Sequence, residues 1–499
     1  MTTSAKPVVL DHEREGADAL MGAIFAAALL TFMLSIGWVF VDFGIPLFQL
    51  PLLLLTFILV VVSGFLYFLN PAKFLTFFLI GLVYFSFEAT MRSGSGGGDA
   101  QSMLKGVFTL ALATLGVFTG LRSIGGSPVS LAFFAYALFA LCSAAYSPQV
   151  LVGSVAGIAL VGVAIISAKV GGGTRQDVRS YWNAIYWATV LTGICSLIYF
   201  AALPQQARDF QDLSTYRLRG ITGTANSLGP LMAVGCIVAL LMLRTTTSKW
   251  AWRFHALMLV LFAVLLVLTN SRSSILGLIV AYGVSRFVGG QWGVIRVICA
   301  LIGLTLMAMV LFYPGLQEQI LSVAASAFAR SGSVNELTSF TGRKAIWDAS
   351  WRLIGESPWV GYGLSSVMII LPKAHADQWG NTVATAHNLL LESLLTVGWL
   401  GTIPLVGVVL VCLVRLTRRV YQGASELLRG LRPQALEDQA MAECALRCLL
   451  MMMVQGFSEK AFAGHPGSPF LALGAVVTTA IYLGRHALVS DRMNKQAVA

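Results

Sequence analysis

Apolar runs of about 18 or more residues recur along this chain from near its start to near its end. A helix of that length, rising 1.5 Å per residue, matches the ~30 Å hydrocarbon core of a bilayer. Only 11% of the residues are charged and 57% are hydrophobic, whereas a soluble domain carries roughly 25% charged residues. Too few polar side chains remain to cover a soluble globule. The sequence therefore predicts an all-α, polytopic transmembrane helical bundle.

The apolar runs predict about fourteen spans. An even number places both termini on one side, and the positive-inside rule assigns that side to the cytoplasm, where most Lys and Arg then lie. Residues 1–18 and 487–499 become cytoplasmic tails, and 19–486 form a single membrane domain. The predicted spans are 19–41, 47–69, 72–90, 103–121, 128–147, 149–168, 182–202, 224–243, 254–270, 273–288, 295–313, 392–414, 440–458 and 469–485.

The charges and cysteines exclude two other classes of protein. The net charge is +11, but the basic residues lie between apolar runs and not along a soluble face, so nucleic-acid binding is not expected. The seven cysteines lack CxxC or Cys/His spacing, which predicts neither a disulfide framework nor a metal site. Glu443 and Arg447, four residues apart within a predicted span, are expected to neutralise each other.

The predicted outer, periplasmic loop at 314–391 is far longer than an ordinary connection. Within it, the segment from Thr341 to Ile354 carries charged residues along one side and Trp347 and Trp351 on a neighbouring stripe. This pattern predicts an amphipathic helix at the membrane surface, with the two tryptophans as interfacial anchors. Pro358 follows the segment and cannot continue a helix.

Four polar clusters fall at the predicted outer side of the membrane. They are RLRG and NSLG within 217–229, NSRSSILG at 270–277, TGR with a following W, P and GYG within 341–363, and HNLLLESLLTVGWLG at 387–401. Their arginines lie on the side that the positive-inside rule disfavours. An anionic substrate bound at the outer side would explain the position of these arginines.

In kind and order, these clusters resemble the O-antigen ligase and O-antigen polymerase family of bacterial inner-membrane glycosyltransferases. The likeness covers roughly residues 217–416. It implies a multi-pass inner-membrane enzyme whose active site faces the periplasm, in O-antigen or exopolysaccharide assembly. It further implies a donor glycan linked to undecaprenyl diphosphate and an acceptor glycan, either a lipid-linked repeat unit or lipid A core. No cofactor or metal is expected, and the anomeric centre should be inverted. Contacts with membrane lipids and with other polysaccharide-assembly membrane proteins are also expected.

The resemblance implies roles for particular residues. His387 takes the role of general base, since the imidazole titrates near neutral pH. Arg219 and Arg343 take diphosphate binding, because the guanidinium fork pairs well with phosphate oxygens. Arg217 and Arg272 are further candidates, and Arg217 competes with Arg219 for one family position. Asn388 and Glu392, four residues apart at the start of a helix, are candidates to orient substrate.

Other interpretations remain open for these residues. A histidine that opens a helix can be a cap, and an arginine near the membrane can snorkel to lipid phosphate. The alternative function is a transporter or flippase for a lipid-linked or anionic substrate, which predicts broken helices and a site near the membrane midplane. Within the glycosyltransferase class, both polymerase and ligase fit the sequence, and we favour the polymerase.

Overall fold

The computed structural model describes residues 121–209, 217–222, 224–290, 343–374, 385–428, 433–464 and 467–498. The tail 1–18, the spans predicted at 19–41, 47–69, 72–90 and 295–313, and all but the last residue of 103–121 lie outside these ranges. Within them the chain forms eleven α-helices, two 3₁₀ turns (Leu121–Gly126 and Ala144–Tyr146) and a two-stranded antiparallel ribbon. The elements are α1 (Pro128–Ser143), α2 (Val150–Gly171), α3 (Arg175–Ala202), β1 (Arg208–Asp209), β2 (Arg217–Leu218), α4 (Ala225–Thr245), α5 (Lys249–Leu268), α6 (Arg272–Gly289), α7 (Arg343–Glu356), α8 (Val367–Ala374), α9 (Leu389–Leu428), α10 (Pro433–Gly456) and α11 (Ser468–Val498).

Every span predicted within the described ranges coincides with a helix. Among the described residues, six helices are long and apolar enough to cross a membrane, namely Pro128–Tyr146, Val150–Gly171, Arg175–Ala202, Ala225–Thr245, Lys249–Leu268 and Leu389–Gly423. The segment Pro469–Arg485 is a shorter apolar helix. The chain is therefore an integral membrane protein, and the total of about fourteen spans stays a prediction.

Among the described helices, α4 and α10 lie at the centre. The apolar window of α4 is 78% buried, whereas that of α5 is only 22% buried. Helix α10 packs against α4, α6, α9 and α11. A central helix surrounded by others keeps its charges away from lipid, which explains why α10 tolerates Glu443 and Arg447.

The predicted pair within α10 is confirmed. Arg447 donates to Glu443 Oε2 at 2.6 Å, and Arg244 from α4 donates to the same oxygen at 2.5 Å. Arg447 also donates from Nε to Ser285 Oγ of α6 at 2.7 Å. The charges are thus paired and hydrogen-bonded, as buried ions need to be. They join three helices.

Helix α9 is interrupted at Gly398, whose φ of 61° and ψ of −167° are not helical. The loop 358–363 packs into this break. Trp399 N–H donates to Pro358 O at 2.9 Å, and Leu400 N–H donates to Trp359 O at 3.1 Å. A Cβ atom at Gly398 would lie only 2.3 Å from the carbonyl carbon of Trp359. Only glycine fits both the positive φ and the close approach.

The same loop supplies donors to the carbonyl groups that the interruption frees. Tyr362 N–H donates to Leu395 O at 2.7 Å, and Gly363 N–H donates to Thr396 O at 2.9 Å. Backbone groups inside a membrane protein need such partners. The GYG and GWLG clusters therefore interlock, and GYG forms a turn with positive φ at Gly361 and Gly363.

The 358–363 loop is also tied to the end of α1. Tyr146 donates its hydroxyl hydrogen to Val360 O at 2.6 Å, and Leu364 N–H donates to Ser143 Oγ at 3.1 Å. Tyr362 donates to Leu353 O of α7 at 3.0 Å. Burial and the neighbouring Glu356 carboxylate raise the pKa of Tyr362 to about 12, so its phenol stays protonated as a donor. The loop thus connects α1, α7 and α9.

Candidate functional site

The four polar clusters meet at one end of the bundle. The start of α4, the turn between α5 and α6, the start of α7, the start of α9 and the segment after α10 are joined there by side-chain hydrogen bonds. At the other end of the bundle, where α3 and α10 begin, there is a separate ion pair. Arg175 Nε lies 2.7 Å from Asp438 Oδ1 there. Segments that are far apart in sequence therefore build one polar site.

Glu459, three residues after the end of α10, is the centre of this site. Its Oε1 accepts from Arg343 at 3.0 Å and from Asn226 Nδ2 at 2.9 Å. Its Oε2 lies 3.0 Å from His387 Nδ1. The carboxylate is largely buried, with 14% of its side chain exposed. A buried carboxylate needs such donors, and Glu459 has them from three different parts of the chain.

The Glu459 contact leaves the other nitrogen of His387 available. A carboxylate only accepts, so in the neutral imidazole the proton lies on Nδ1 and a lone pair lies on Nε2. Within the described ranges, Nε2 makes no hydrogen bond. The His387 side chain is 29% exposed, so a ligand can approach it. In this arrangement a carboxylate sets the orientation of the imidazole, and the other ring nitrogen can accept a proton.

The backbone of His387 has an uncommon conformation, with a φ of 48°. For a residue that is not glycine, the left-handed region costs roughly 1–2 kcal/mol. The preceding residue, Ala386, is held through both of its backbone polar groups. Ala386 N–H donates to Glu392 Oε2 at 2.9 Å, and Trp347 Nε1 donates to Ala386 O at 3.1 Å.

Asn388 caps α9. Its Oδ1 accepts from Leu390 N–H at 3.0 Å and from Leu391 N–H at 3.1 Å. These are two of the donors that a helix start leaves without partners. The sequence left open a capping role for His387, but Asn388 is the cap. The imidazole of His387 contacts Glu459 instead.

The amphipathic helix forms as expected, and its two tryptophans differ. Trp351 is 51% exposed, as an interfacial anchor would be. Trp347 instead directs its indole N–H at Ala386 O. Arg343 and Trp347 are one helical turn apart on α7. Arg343 contacts Glu459, the partner of His387, and Trp347 contacts Ala386, the residue before His387.

The two arginines that compete for one family position have different surroundings. Arg217 is buried, donates from Nε to Thr269 O at 3.1 Å and reaches Asn226 Oδ1 at 2.5 Å. Arg219 is half-buried and donates from Nε to Gln206 O at 2.9 Å. Arg217 is thus linked through Asn226 to Glu459. Within the described residues, Arg219 has no such link.

Arg272 begins α6 immediately after the α5–α6 turn that contains Thr269. Its side chain is half-buried. Among the residues that the structure describes, no hydrogen bond or ion pair engages its guanidinium group. Arg272 thus lies next to the turn that Arg217 contacts.

Two members of the network were not assigned as site residues from sequence. Asn226 lies within the NSLG cluster, without a role of its own. Glu459 lies 72 residues after His387, in the short Ser458-Glu459-Lys460 segment outside all four clusters. The one signal for it is its position, because a carboxylate directly after an apolar span on the predicted outer side is a candidate partner for the arginines there.

Residues 257–406 match the family model described as O-antigen ligase. Comparison with curated proteins gives no match. The matched segment contains Arg272, Arg343 and His387, whereas Arg217, Asn226 and Glu459 flank it. Residues 257–406 are thus similar to the O-antigen ligase family, in agreement with the resemblance that the sequence motifs indicate.

Proposed function

We propose that this protein transfers a glycan from undecaprenyl diphosphate to a hydroxyl group of an acceptor sugar. The observation that carries the proposal is the Glu459 network, in which one carboxylate contacts both His387 and Arg343. Such a transfer needs a base for a weakly acidic hydroxyl and cations for a diphosphate leaving group. Both kinds of group meet in this network.

His387 is the proposed base. Its Nε2 accepts the proton of the acceptor hydroxyl while the hydroxyl oxygen forms a bond to the anomeric carbon of the donor. The bond from that carbon to the phosphate oxygen breaks, and undecaprenyl diphosphate leaves with the electron pair. Glu459 holds Nδ1–H and stabilises the imidazolium that forms. Attack from the face opposite the diphosphate inverts the anomeric centre without a covalent glycosyl-enzyme.

Arg343 is the proposed diphosphate ligand in this network, and Arg217 is a buried candidate linked to the network through Asn226. Two guanidinium groups share the network around Glu459. Cations at this position favour a lipid diphosphate over a neutral lipid. Arg272 is a further candidate because its guanidinium is uncommitted within the described ranges. Arg219, which is half-buried and donates to Gln206 O, also stays a candidate.

The proposed orientation places this site on the periplasmic face of the bacterial inner membrane. Helix α9 begins next to His387 and carries Arg415, Arg418 and Arg419 toward its other end. The positive-inside rule favours the cytoplasm for the arginine-rich end. His387 and the donor diphosphate are then on the outer face, where O-antigen or exopolysaccharide chains are assembled. Of the two reactions, we propose polymerase over ligase.

The alternative, a transporter or flippase, uses discontinuous helices to line a substrate cavity. Helix α9 is discontinuous at Gly398, which is the observation that favours this alternative. The 358–363 loop, however, supplies hydrogen-bond partners to the backbone at the interruption. A break filled by the protein's own loop leaves its carbonyl groups unavailable to a transported ion or substrate. The glycosyltransferase is therefore the better-supported proposal.

Glycan analysis of a deletion strain tests the function. Loss of chain length, with single repeat units remaining, supports a polymerase. Accumulation of long lipid-linked polymer that never reaches its acceptor supports a ligase. A purified protein that moves the lipid-linked glycan between vesicle leaflets without forming any glycosidic bond contradicts both and supports a flippase.

A further inference from the structure

The backbone of Ala386, the residue before His387, is the point at which two side chains outside the reacting groups converge. Glu392 Oε2 accepts from Ala386 N–H at 2.9 Å, and Trp347 Nε1 donates to Ala386 O at 3.1 Å. These two contacts satisfy both polar groups of Ala386. The next residue, His387, has a φ of 48°. In that conformation, the direction of the His387 side chain depends on the preceding backbone being held in place.

Glu392 has little opportunity to contact substrate. It is only 4% exposed, and a Cβ atom at Gly464 would lie 2.9 Å from its Oε1. One carboxylate oxygen thus faces the segment before α11 and the other faces Ala386. His387, by contrast, is 29% exposed. This geometry differs from the substrate-orienting role that the sequence assigned to Glu392.

We propose that Glu392 and Trp347 are positioning residues that fix the His387 backbone so that Nδ1 meets Glu459 and Nε2 faces the acceptor hydroxyl. The inference rests on the proposed function, because it assumes that His387 is the base. Trp347 shares α7 with Arg343, the proposed diphosphate ligand. The same helix therefore helps to place both the cation for the leaving group and the base for the nucleophile.

A positioning role predicts a particular kinetic pattern. Misplacing a catalytic group by about 1 Å can cost ~100-fold in rate, whereas the arginines that bind the donor stay in place. The rate constant kcat should therefore fall while the KM for the donor changes little. A side chain that binds the donor would instead raise that KM.

The experiment compares full-length variants in lipid nanodiscs, with undecaprenyl-diphosphate-linked glycan as donor. We expect Glu392→Ala to lower kcat by about 10- to 100-fold with the donor KM within about twofold of wild type. Glu392→Gln should retain most activity, because its amide oxygen can still accept from Ala386 N–H. Trp347→Phe should lower kcat by several-fold. Trp351→Phe, on the exposed face of the same helix, is the matched control and should match wild type.

A double variant adds a test that a general packing defect would not pass. If both side chains act through the Ala386 backbone, Glu392→Ala with Trp347→Phe should lose less activity than the product of the single losses. Multiplicative losses overturn the shared role. So does a Glu392→Gln variant as inactive as Glu392→Ala, since the charge itself would then be needed.

His387→Ala separates failure of the inference from failure of the proposed function. If His387→Ala is inactive while Glu392→Ala and Trp347→Phe keep wild-type kcat, the positioning role is wrong and the base assignment stands. If His387→Ala keeps wild-type activity, the proposed mechanism itself is wrong. Should Glu392→Ala fail to insert or fold, Trp347→Phe decides, and an unchanged kcat in that variant overturns the inference.

Discussion

The Nδ1 atom of His387 lies 3.0 Å from Oε2 of Glu459, across 72 residues of sequence. The contact joins the start of α9 to the segment that follows α10. A histidine whose Nδ1–H is held by a buried carboxylate has a fixed ring orientation and a stabilised imidazolium, as in catalytic triads. The proposed mechanism depends on this pair.

Replacement of Glu459 tests the pair from the carboxylate side. We expect Glu459→Gln to lower kcat by roughly 100-fold or more, because the amide cannot stabilise the imidazolium as a carboxylate does. Rates of transfer from lipid-linked glycan would be measured on purified protein. Asp348→Asn, which changes an exposed carboxylate on α7, should have no effect. Equal activity of Glu459→Gln and wild type would remove the carboxylate from the mechanism.

Arg343 is predicted to act mainly on the donor. Arg343→Gln should raise the KM for the lipid-linked donor by about 10-fold or more, since a charge-assisted hydrogen bond to phosphate is worth about 1.5–3 kcal/mol. Arg352→Gln, on an exposed position of the same helix, removes the same charge away from the network and serves as the control. If the two variants have the same donor KM, Arg343 does not bind the diphosphate.

Arg217 and Arg219 can be separated by the same assay. We expect Arg217→Gln to lower kcat/KM by about 10-fold more than Arg219→Gln, because a charge-assisted bond in the Glu459 network is lost. Arg219 is half-buried and donates to Gln206 O instead. Thermal unfolding in detergent would check that both variants fold. If a folded Arg219→Gln variant loses more kcat/KM than Arg217→Gln, the diphosphate contact belongs to Arg219, as the sequence favours.

The helix interruption gives a prediction about stability. Gly398→Ala should destabilise the protein by about 3 kcal/mol or more, from the positive φ together with the clash against Trp359. Gly407→Ala lies in the same helix, where nothing would lie within 4 Å of the new Cβ. It should change stability by less than about 1 kcal/mol. Comparable unfolding temperatures for the two variants would contradict the described packing of the 358–363 loop.

Much of the helical architecture follows from sequence because apolar run length is dictated by the bilayer. The ends of the helices were less predictable. The span predicted at 392–414 belongs to a helix that begins at Leu389 and is interrupted at Gly398. Sequence marked that glycine within GWLG, but the loop that fills the interruption comes from 358–363. Such a fit is a tertiary contact, and local pattern does not encode it.

The candidate site was accessible from sequence only in part. Arg217, Arg343 and His387 lie in clusters with a recognisable order, and the structure joins them through shared partners. Glu459 was missed because a single carboxylate after a span carries no local signature. The contacts of Glu392 and Trp347 with Ala386 were also missed, because they depend on how α7 packs against the start of α9. The roles of all these residues in the reaction stay predictions.

The most direct test of the account is the activity of His387→Ala. Purified variant and wild-type proteins, matched for insertion and unfolding temperature, would be given the lipid-linked glycan and its acceptor. We predict that new glycosidic product falls by at least about 100-fold, the lower part of what a general base contributes, while donor binding persists. Wild-type product formation by the folded variant would contradict the assignment of His387 as the base.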